Sequence, residues 1–493
     1  MQHLIRRDRD RDNAPRRAWS VSVVYTSLPV CRASGQADIG RSGRKMAPLF
    51  NLAQCLALIL SAACSGVTAQ APVVIAREEI VSFTANTTGG EGFSKSIGST
   101  GATYLTLHFA QFHLAPGASL TVRSSNNLTR YEYTGLGRGD LGENGGFFSS
   151  LIPGSEAVLE YTPEDPVAST GDFGFTIDKL TRSSSGATTN SICGADDTKP
   201  AKCYENDSAL PQAYAKSQAL SRLFVSGTSS CTGWLVGSQG HLLTNFHCIG
   251  SDVQAATTDF EFGAESASCE EQCQVKNGCR GTVAATTSTL VASSESLDYA
   301  LVKLNPVTGV NLSEYGFLTL RVAGAVLGEQ IYLPQHPKGW AKRIAAVDDD
   351  GSATTVIGVD HSSACGDHRI GYYADTQPGS SGSPLIAAAD NSVIALHNCG
   401  VLDAQCENSA IDIRAVIWDL TNKGVVPNDA LDNPTASLVD GPWIPGTTSA
   451  PTPTTTPAPT VSICTVFRQQ ASCETVVPGN ECVWQNGKCV DNN

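Results

Sequence analysis

Short strand-like runs, separated by turn residues, fill most of this chain and leave little room for helices. Early runs such as "YLTLHF", "SLTVRS" and "AVLEYTP" alternate apolar with polar residues, the period of a strand with one buried face. Later runs include "CTGWLVG", "HLLTNFHC", "DYALVKL" and "VIALHNC". A helix is predicted for "IRAVIWDLTNKG", where Val416 and Leu420 are four residues apart. We therefore predict an all-β chain with one helical ending.

The segment that begins at Met46 has the features of a secretory signal. Basic residues precede the apolar stretch "CLALILSAAC", and the small residues "VTA" offer a cleavage site before Gln70. Residues 46–69 are therefore predicted to be a signal peptide and residues 1–45 an upstream extension without a role in the fold. A basic leader is the alternative, which the mass of the N-terminal peptide would decide. No other apolar run approaches the roughly 18–20 residues of a membrane span.

The cysteine count supports this division. Of 17 cysteines, three precede Gln70, ten fall between Cys193 and Cys406, and four fall between Cys464 and Cys489. Even numbers in both later regions are typical of disulfides formed in an oxidising compartment. We expect a secreted, extracellular protein.

Charge and glycosylation motifs agree with that expectation. The net charge of −14 argues against binding to nucleic acid or to an anionic membrane, because both need a basic face. Asn-X-Ser/Thr motifs predict N-glycosylation at four positions. These are Asn86, Asn127, Asn206 and Asn311.

Composition divides the mature chain into four segments. Residues 70–185 contain no cysteine or tryptophan and are predicted to form a β-sandwich-like domain, which is either a propeptide or a permanent accessory domain. Residues 186–430 carry the later strands. Residues 431–462 contain the Pro/Thr-rich linker "TTSAPTPTTTPAPT". Residues 463–493 form a small Cys-rich module that should need two disulfides in order to fold.

Three stretches supply the residues of a nucleophilic site. They are "TNFHC" with His247, "SLDYALVKL" with Asp298, and "DTQPGSSGSPLI" with Ser381. A serine needs an imidazole to accept its proton, and a buried carboxylate fixes the imidazole tautomer. The glycines of the third stretch let the N–H groups of Gly379 and Ser381 face a developing oxyanion.

Taken together, these stretches resemble the chymotrypsin-like serine peptidases over about residues 215–425. The resemblance implies a double β-barrel, with six strands in each barrel and the site in the cleft between them. It implies that His247 is the general base, Asp298 its orienting partner and Ser381 the nucleophile of a serine endopeptidase that forms an acyl-enzyme. A disulfide between Cys231 and Cys248 is also implied. The resemblance also implies protein or peptide substrates and a mechanism that needs no cofactor and no metal.

One position departs from the family pattern. Many members carry aspartate before the nucleophile, where it pairs with the new N-terminus of the cleaved zymogen, but this chain has Ser380. "GSSGSP" is most similar to the glutamyl and lysyl endopeptidase branch. Cys193, Cys203 and the phrase "PQHPKGWAKRI" are similar to the lysyl members.

The predicted specificity pocket leaves two alternatives open. Asp375, six residues before Ser381, would attract Lys or Arg before the scissile bond, although an internal hydrogen-bonding role explains it equally well. Thr376 and His397 instead resemble the glutamyl endopeptidase positions that bind a substrate carboxylate. Asp412 is a further candidate pocket carboxylate, which would disfavour an acidic substrate.

Three other interpretations compete with the enzyme. A catalytically silent protease homologue could act as an extracellular binding protein, although such homologues commonly lose a triad residue. The C-terminal module could contact a cell wall or polysaccharide through Phe467 and Trp484. A zinc site at His361, Cys365 and His368 is disfavoured, because Cys365 belongs to an even set of cysteines.

Overall fold

The structure is a computed structural model. It describes residues 72–88, 91–139, 141, 145–163, 171–183, 192, 194–363, 366–400, 407–436 and 438, and the backbone of 482–485 and 488–491. The predicted upstream extension, signal peptide and cleavage site lie outside the described residues, as do most of the Pro/Thr linker and the side chains of the Cys-rich module. No helix among the described residues is long and apolar enough to cross a membrane.

The first part of the described chain consists of ten strands. They are β1 (Val73–Val74), β2 (Ala76–Asn86), β3 (Phe93–Gly98), β4 (Tyr104–His113), β5 (Ser119–Ser124), β6 (Arg130–Thr134), β7 (Phe147–Phe148), β8 (Ile152–Pro153), β9 (Glu156–Thr162) and β10 (Gly174–Ser183).

Strands β2 to β10 form two antiparallel sheets, which we call the N-terminal sandwich. One sheet has the order β2-β10-β4-β7, with β8 also paired to β4, and the other has the order β3-β9-β5-β6. The alternating runs read from the sequence correspond to β4, β5 and β9. Their apolar side chains form one buried cluster that includes Phe109, Phe112 and Phe175, which contact one another edge-on or stacked. The predicted sandwich is confirmed in its fold class.

The next part of the chain forms a closed barrel of six strands, and we call it the first barrel. Its strands are β12 (Leu220–Val225), β13 (Ser229–Val236), β14 (His241–Thr244), β15 (Thr258–Phe262), β16 (Thr282–Ser294) and β17 (Tyr299–Pro306). The order β13-β12-β15-β16-β17-β14 is closed by the pairing of β13 with β14. Two short helices, α1 (Ala213–Ser217) and α2 (Asp252–Ala256), and the 3-10 turn Ala201–Tyr204 accompany it.

The last large sheet has eight strands. They are β11 (Lys199–Pro200), β18 (Ile331–Gln335), β19 (Arg343–Ala345), β20 (Val356–Ser363), β21 (Gly366–Tyr372), β22 (Pro384–Ala387), β23 (Val393–Cys399) and β24 (Asn408–Asp412). Their order is β11-β19-β18-β22-β23-β24-β21-β20. The isolated bridges Gln330–Thr355 and Val347–Ala353 pair the segment before β20 with residues next to β18 and β19. Those two strands lie toward the other end of the strand order. The sheet therefore curls, as the resemblance to a double barrel implied.

Helix α3 (Ile413–Asn422) ends this part of the chain. It starts at Asp412, whose side chain accepts a hydrogen bond from the Arg414 N–H, and it buries Val416 and Leu420. The helix predicted from the sequence is confirmed. The remaining elements are the 3-10 turns Leu312–Tyr315 and Pro337–Gly339 and the antiparallel strands β25 (Cys482–Gln485) and β26 (Lys488–Asp491).

Candidate active site

Ser381 lies in the turn between β21 and β22, and the glycines on either side make that turn feasible. Gly379 and Gly382 have φ angles of 103° and 87°, which disfavour any side chain. A Cβ at Gly382 would lie 2.1 Å from the Thr232 carbonyl oxygen. The close approach lets the Thr232 N–H donate to the Ser381 carbonyl over 2.9 Å. The turn is thereby held against strand β13.

Two N–H groups of this turn have no partner, while their neighbours do. Ser380, Gly382 and Ser383 donate to backbone carbonyls at 2.8 to 2.9 Å. In the part of the chain that the structure describes, neither the Gly379 nor the Ser381 N–H donates a hydrogen bond. Buried N–H groups are rarely left unpaired without a functional reason, so this pair is suited to receive an anionic oxygen.

His247 follows strand β14, and its imidazole is fixed by Asp298. Nδ1 lies 2.9 Å from Oδ2 and 3.1 Å from Oδ1 of the carboxylate, and the His247 N–H also donates to Oδ1 at 3.0 Å. Both side chains are nearly buried. Nε2 of His247 is buried and has no hydrogen-bond partner among the described residues. One ring nitrogen is therefore bound, and the other can take up a proton.

The backbone of Asp298 helps to aim its carboxylate. This residue immediately precedes β17 and has a φ of 44°, a left-handed conformation that aspartate tolerates better than most residues. The Asn245 side-chain amide donates to its carbonyl over 2.9 Å.

Strand β23 links this histidine–aspartate pair to the serine turn. The side-chain amide of Asn398 donates to Asp298 Oδ2 over 3.2 Å. The carbonyl of the preceding residue, His397, accepts from the Gly382 N–H at 2.9 Å. Two successive residues of one strand thus contact Asp298 and the residue after Ser381. The three residues singled out in the sequence therefore lie in one site, where the first barrel meets the eight-stranded sheet.

A disulfide joins Cys231 to Cys248, with the two Cα atoms 6.2 Å apart. This is the pairing that the resemblance implied, and it ties β13 to the turn that carries His247. Further disulfides link Cys203 to Cys269 and Cys273 to Cys279. The cysteines Cys193, Cys365 and Cys406 lie outside the described residues.

Ser380 bonds to a buried glutamine, whereas the aspartate that many family members carry at this position pairs with the N-terminal amine of the cleaved zymogen. Its hydroxyl donates to Oε1 of the fully buried Gln335, whose side-chain amide donates to the Asp375 carbonyl at 2.8 Å. The Gln377 N–H donates to the Ser380 hydroxyl over 3.2 Å. The turn before Ser381 is therefore held by neutral hydrogen bonds from strand β18.

The predicted pocket residues Asp375, Thr376 and His397 are all buried. Oδ2 of Asp375 accepts the Asp197 N–H at 2.8 Å, which fixes the orientation of this carboxylate. Nδ1 of His397 lies 2.5 Å from the Tyr372 hydroxyl. Burial, reinforced by the nearby His247, lowers the pKa of His397 to about 3, so its ring is neutral near pH 7.

Asp412 has an ion-pair partner that the sequence did not reveal. Its carboxylate is held by the Nε and Nη2 atoms of Arg414, at 3.0 and 2.6 Å. The charge is therefore compensated locally, and Asp412 is a poor candidate for recognising a basic substrate.

Both histidines of the zinc site that the sequence disfavours contact a carboxylate, and Cys365 lies outside the described residues. His361 contacts Glu407 at 3.1 Å and His368 contacts Asp360 at 2.6 Å. Among the described residues, two groups lie close enough together to hold a metal: Cys231 with His247 and Cys248, and Glu271 with Cys273 and Cys279. Every cysteine of these two groups is in a disulfide. The four asparagines of the glycosylation motifs are exposed, and their glycosylation stays a prediction.

Three residues that position the serine turn were not found from the sequence. Thr232, Gln335 and Asn398 lie in strands β13, β18 and β23, and each contacts the turn or Asp298. No motif marks Thr232 or Gln335, because their partners are more than forty residues away along the chain. Asn398 could have been considered as the neighbour of His397.

Comparisons with known proteins identify the domain that carries this site. A family model described as a trypsin-like peptidase domain matches residues 231–396, a range that contains all three residues. A curated relative, the secreted RxLR effector protein 73 of Plasmopara viticola, is 37% identical over 348 residues, which are 67% of this chain and 82% of that protein.

Solved structures show more distant likenesses. The inactive form of Rv3671c from M. tuberculosis H37Rv is 15% identical with a TM-score of 0.31, covering 47% of this chain and 96% of that one. The HtrA-type protease AlgW with a tripeptide is 18% identical with a TM-score of 0.32, covering 44% and 64%. These comparisons do not separate the glutamyl and lysyl branch from other members, so that assignment stays a prediction. The family match and the curated relative show that this chain belongs to the trypsin-like peptidases and is a serine peptidase.

Proposed function

We propose that the protein is a secreted endopeptidase in which Ser381, His247 and Asp298 form the catalytic triad. The observation that carries the proposal is the His247 ring, with Nδ1 bound to Asp298 and a buried, unpartnered Nε2. In this arrangement Nε2 accepts the Ser381 proton as the hydroxyl attacks the peptide carbonyl. The same nitrogen then protonates the leaving amine, and water hydrolyses the acyl-enzyme.

The turn that carries Ser381 is the proposed oxyanion hole. The Gly379 and Ser381 N–H groups would stabilise the negative oxygen of the tetrahedral intermediate, a contribution of about 3–4 kcal/mol for one donor in a related type of site. The neighbouring N–H groups are hydrogen-bonded, whereas these two have no partner in the described chain, and this contrast supports the proposal. The hydrogen bond between Ser380 and Gln335 would keep them in place before substrate arrives.

Secretion is proposed on three grounds. The sequence offers a signal peptide over residues 46–69, and three disulfides are present in the described chain, which is typical of an oxidising compartment. The Plasmopara viticola relative is itself described as secreted. The contact of the C-terminal module with polysaccharide stays a prediction.

For the residue before the scissile bond we propose Lys or Arg. Asp375 at the pocket is bonded to the Asp197 backbone, and Gln377 contacts the carboxylate of the adjacent Asp196 at 3.3 Å. A cluster of carboxylates favours a basic side chain. The neutral His397, whose Nδ1 contacts Tyr372, supplies no positive charge for a glutamate.

The decisive test of the function compares the secreted wild type with Ser381→Ala on a denatured protein mixture. We expect turnover to fall by roughly a million-fold, the loss seen when such a nucleophile is removed. Ser383→Ala is the matched control, because its hydroxyl has no partner among the described residues; it should retain most activity. Equal cleavage by wild type and Ser381→Ala, or none by either, would favour the silent binding homologue.

The specificity proposal has its own test, which is the cleavage-site profile of Asp375→Asn. Loss of the negative charge should lower kcat/KM after Lys and Arg by roughly tenfold to a thousandfold, because a buried charge partner has been removed. Thr376→Val is the control and should leave a preference for basic residues intact. Wild-type cuts that follow glutamate would overturn this assignment.

A further inference from the structure

The first strand segment of the described chain is part of the first barrel. Strand β1 pairs antiparallel with β13, with Val73 opposite Ser230 and Val74 opposite Ser229. The Ile75 N–H extends the contact to the Thr228 carbonyl at 2.9 Å, and the Ile75 side chain is fully buried. The peptidase barrel therefore includes residues that precede the N-terminal sandwich in the sequence.

One carboxylate of the first barrel has all its described partners in the sandwich. Asp259 accepts Nη2 of Arg138 at 2.9 Å, the Ser150 hydroxyl at 2.8 Å and the Leu151 N–H at 3.2 Å. The side chains of the ion pair are only 3% and 4% exposed. The sandwich therefore encloses this carboxylate and supplies its described hydrogen-bond partners.

Apolar packing surrounds this ion pair. Tyr104 and Leu151 of the sandwich share a buried cluster with Phe224 of the barrel and with Val73 and Ile75. The rings of Tyr104 and Phe224 meet edge to face with centroids 5.9 Å apart. The Tyr104 hydroxyl donates to the Ile75 carbonyl at 2.9 Å. Polar and apolar contacts are therefore continuous across the boundary.

The two parts also approach closely at a glycine. A Cβ at Gly227, between β12 and β13, would lie 2.5 Å from the Phe148 ring. The Thr181 hydroxyl donates to the Gly227 carbonyl at 2.7 Å. Only glycine, which has no side chain, lets the backbone at this position lie so close to the Phe148 ring.

The sandwich binds away from the catalytic residues. Its hydrogen bonds to the first barrel reach Gly227, Thr228, Asp259 and Thr286, and no described hydrogen bond joins it to His247 or Ser381. The described hydrogen bonds therefore do not cover the catalytic residues, as a propeptide that blocks the site would.

We propose that the N-terminal sandwich stays bound to the peptidase as a structural part of the working enzyme and is not a propeptide that leaves. The interface carries a buried ion pair, a shared apolar cluster and the pairing of β1 with β13, and removal of residues 72–183 would break all three. The hydrogen bond between Ser380 and Gln335 agrees with this, because it holds the serine turn without a newly cut N-terminus.

The test uses the full secreted chain with a recognition sequence for a specific protease inserted between residues 183 and 192. After complete cutting, size-exclusion chromatography and intact mass should find the two pieces together in equal amounts, and apart only in denaturant. The secreted protein before cutting should still contain residues 72–183. A sandwich that elutes alone, or a secreted species that begins after residue 185, would overturn the proposal. Neither readout depends on catalytic activity.

Matched variants locate the interaction. Arg138→Gln should weaken association of the cut pieces roughly a hundredfold, because it leaves Asp259 buried without its cation. Arg123→Gln is the control, since Arg123 pairs with Glu160 inside the sandwich, and it should leave association unchanged. If Arg138→Gln is not secreted, the milder Thr181→Val removes the bond to the Gly227 carbonyl together with the bond to the Thr106 hydroxyl inside the sandwich, and association should weaken measurably. Association unaffected by either variant would contradict the assigned interface.

Discussion

Thr232 fixes the serine turn through both its backbone and its side chain. Its N–H donates to the Ser381 carbonyl at 2.9 Å, and its hydroxyl donates to the Gly379 carbonyl at 2.9 Å while accepting the His336 N–H at 3.0 Å. The peptide plane between Gly379 and Ser380, which lies between the Gly379 and Ser381 N–H groups, is therefore held from strand β13. Thr232 can in this way influence the geometry of the proposed oxyanion donors.

Thr232→Val tests this control, because valine keeps the shape and the backbone bond but removes the hydroxyl. We expect kcat to fall by about tenfold or more with little change in KM, since one misplaced donor affects the transition state more than the bound substrate. The free energy of unfolding should fall by about 1–3 kcal/mol, because the His336 N–H loses its partner. Thr232→Ser should restore both values, whereas an unchanged kcat in Thr232→Val would contradict the assignment.

Residues were predictable where chemistry imposes a local motif. His247, Asp298 and Ser381 each lie in a short stretch with characteristic neighbours, and the structure brings them to one site. Gln335 could not be found in this way, because a glutamine in a strand has no signature and its partner Ser380 is 45 residues away. The arginine that compensates Asp412 is close in sequence, but the orientation of its side chain depends on the start of α3.

At the scale of elements, period-two runs and the helical ending were recognised from the sequence and β1 was not. Alternation over six or more residues identifies a strand such as β4. Strand β1 has two residues and no periodicity, so its pairing with β13 depends on long-range packing of Ile75. Such pairings are decided by the whole fold and not by local preference.

Ile75 in turn supports a loop next to the serine turn. Its Cδ1 lies 3.2 Å from where a Cβ of Gly339 would be, and Gly339 belongs to the 3-10 turn Pro337–Gly339. The Lys338 N–H in that turn donates to the Pro378 carbonyl at 2.7 Å, one residue before Gly379. Packing of the first strand segment is thus connected to the oxyanion donors by two contacts.

Ile75→Ala should therefore affect both stability and catalysis. The cavity should lower the free energy of unfolding by about 2–5 kcal/mol, and the loosened turn should lower kcat several-fold at unchanged KM. Ile80→Ala is the control, because Ile80 is 86% exposed and Ile75 is buried; it should change neither quantity. Denaturant titration and steady-state kinetics of both variants would decide. A stability loss without any change in kcat would remove the connection to the turn.

At the scale of the whole molecule, cations are buried where the parts meet. Arg222 of the first barrel pairs with Glu261 at 2.7 Å and donates to the Gly339 carbonyl at 3.1 Å. Lys342, beside the eight-stranded sheet, pairs with Glu265 at 2.9 Å. His336 lies near both cations and is itself fully enclosed. The net charge of −14 gave no indication of these internal positive groups, because composition does not reveal location.

This environment predicts how the stability of the protein depends on pH. Burial, reinforced by Arg222 and Lys342, lowers the pKa of His336 to about 3, well below the roughly 6.5 of an exposed histidine. Between these values the unfolded chain binds a proton that the folded protein does not, so the free energy of unfolding falls as the pH falls. The slope is about 1.4 kcal/mol per pH unit for one such histidine, and the similarly buried His397 contributes a second.

We therefore expect the unfolding free energy to decline steeply from pH 6.5 to 4.5, before most carboxylates titrate. His336→Asn can still donate to the Trp340 carbonyl that Nδ1 of His336 contacts at 3.0 Å, but it does not titrate. Its slope in this interval should be smaller than that of the wild type by about 1.4 kcal/mol per pH unit, whatever its stability at pH 7. Denaturant titrations of both proteins at half-unit steps would measure the difference. Parallel curves would mean that His336 is protonated in the folded protein, which would contradict its enclosure between the two cations.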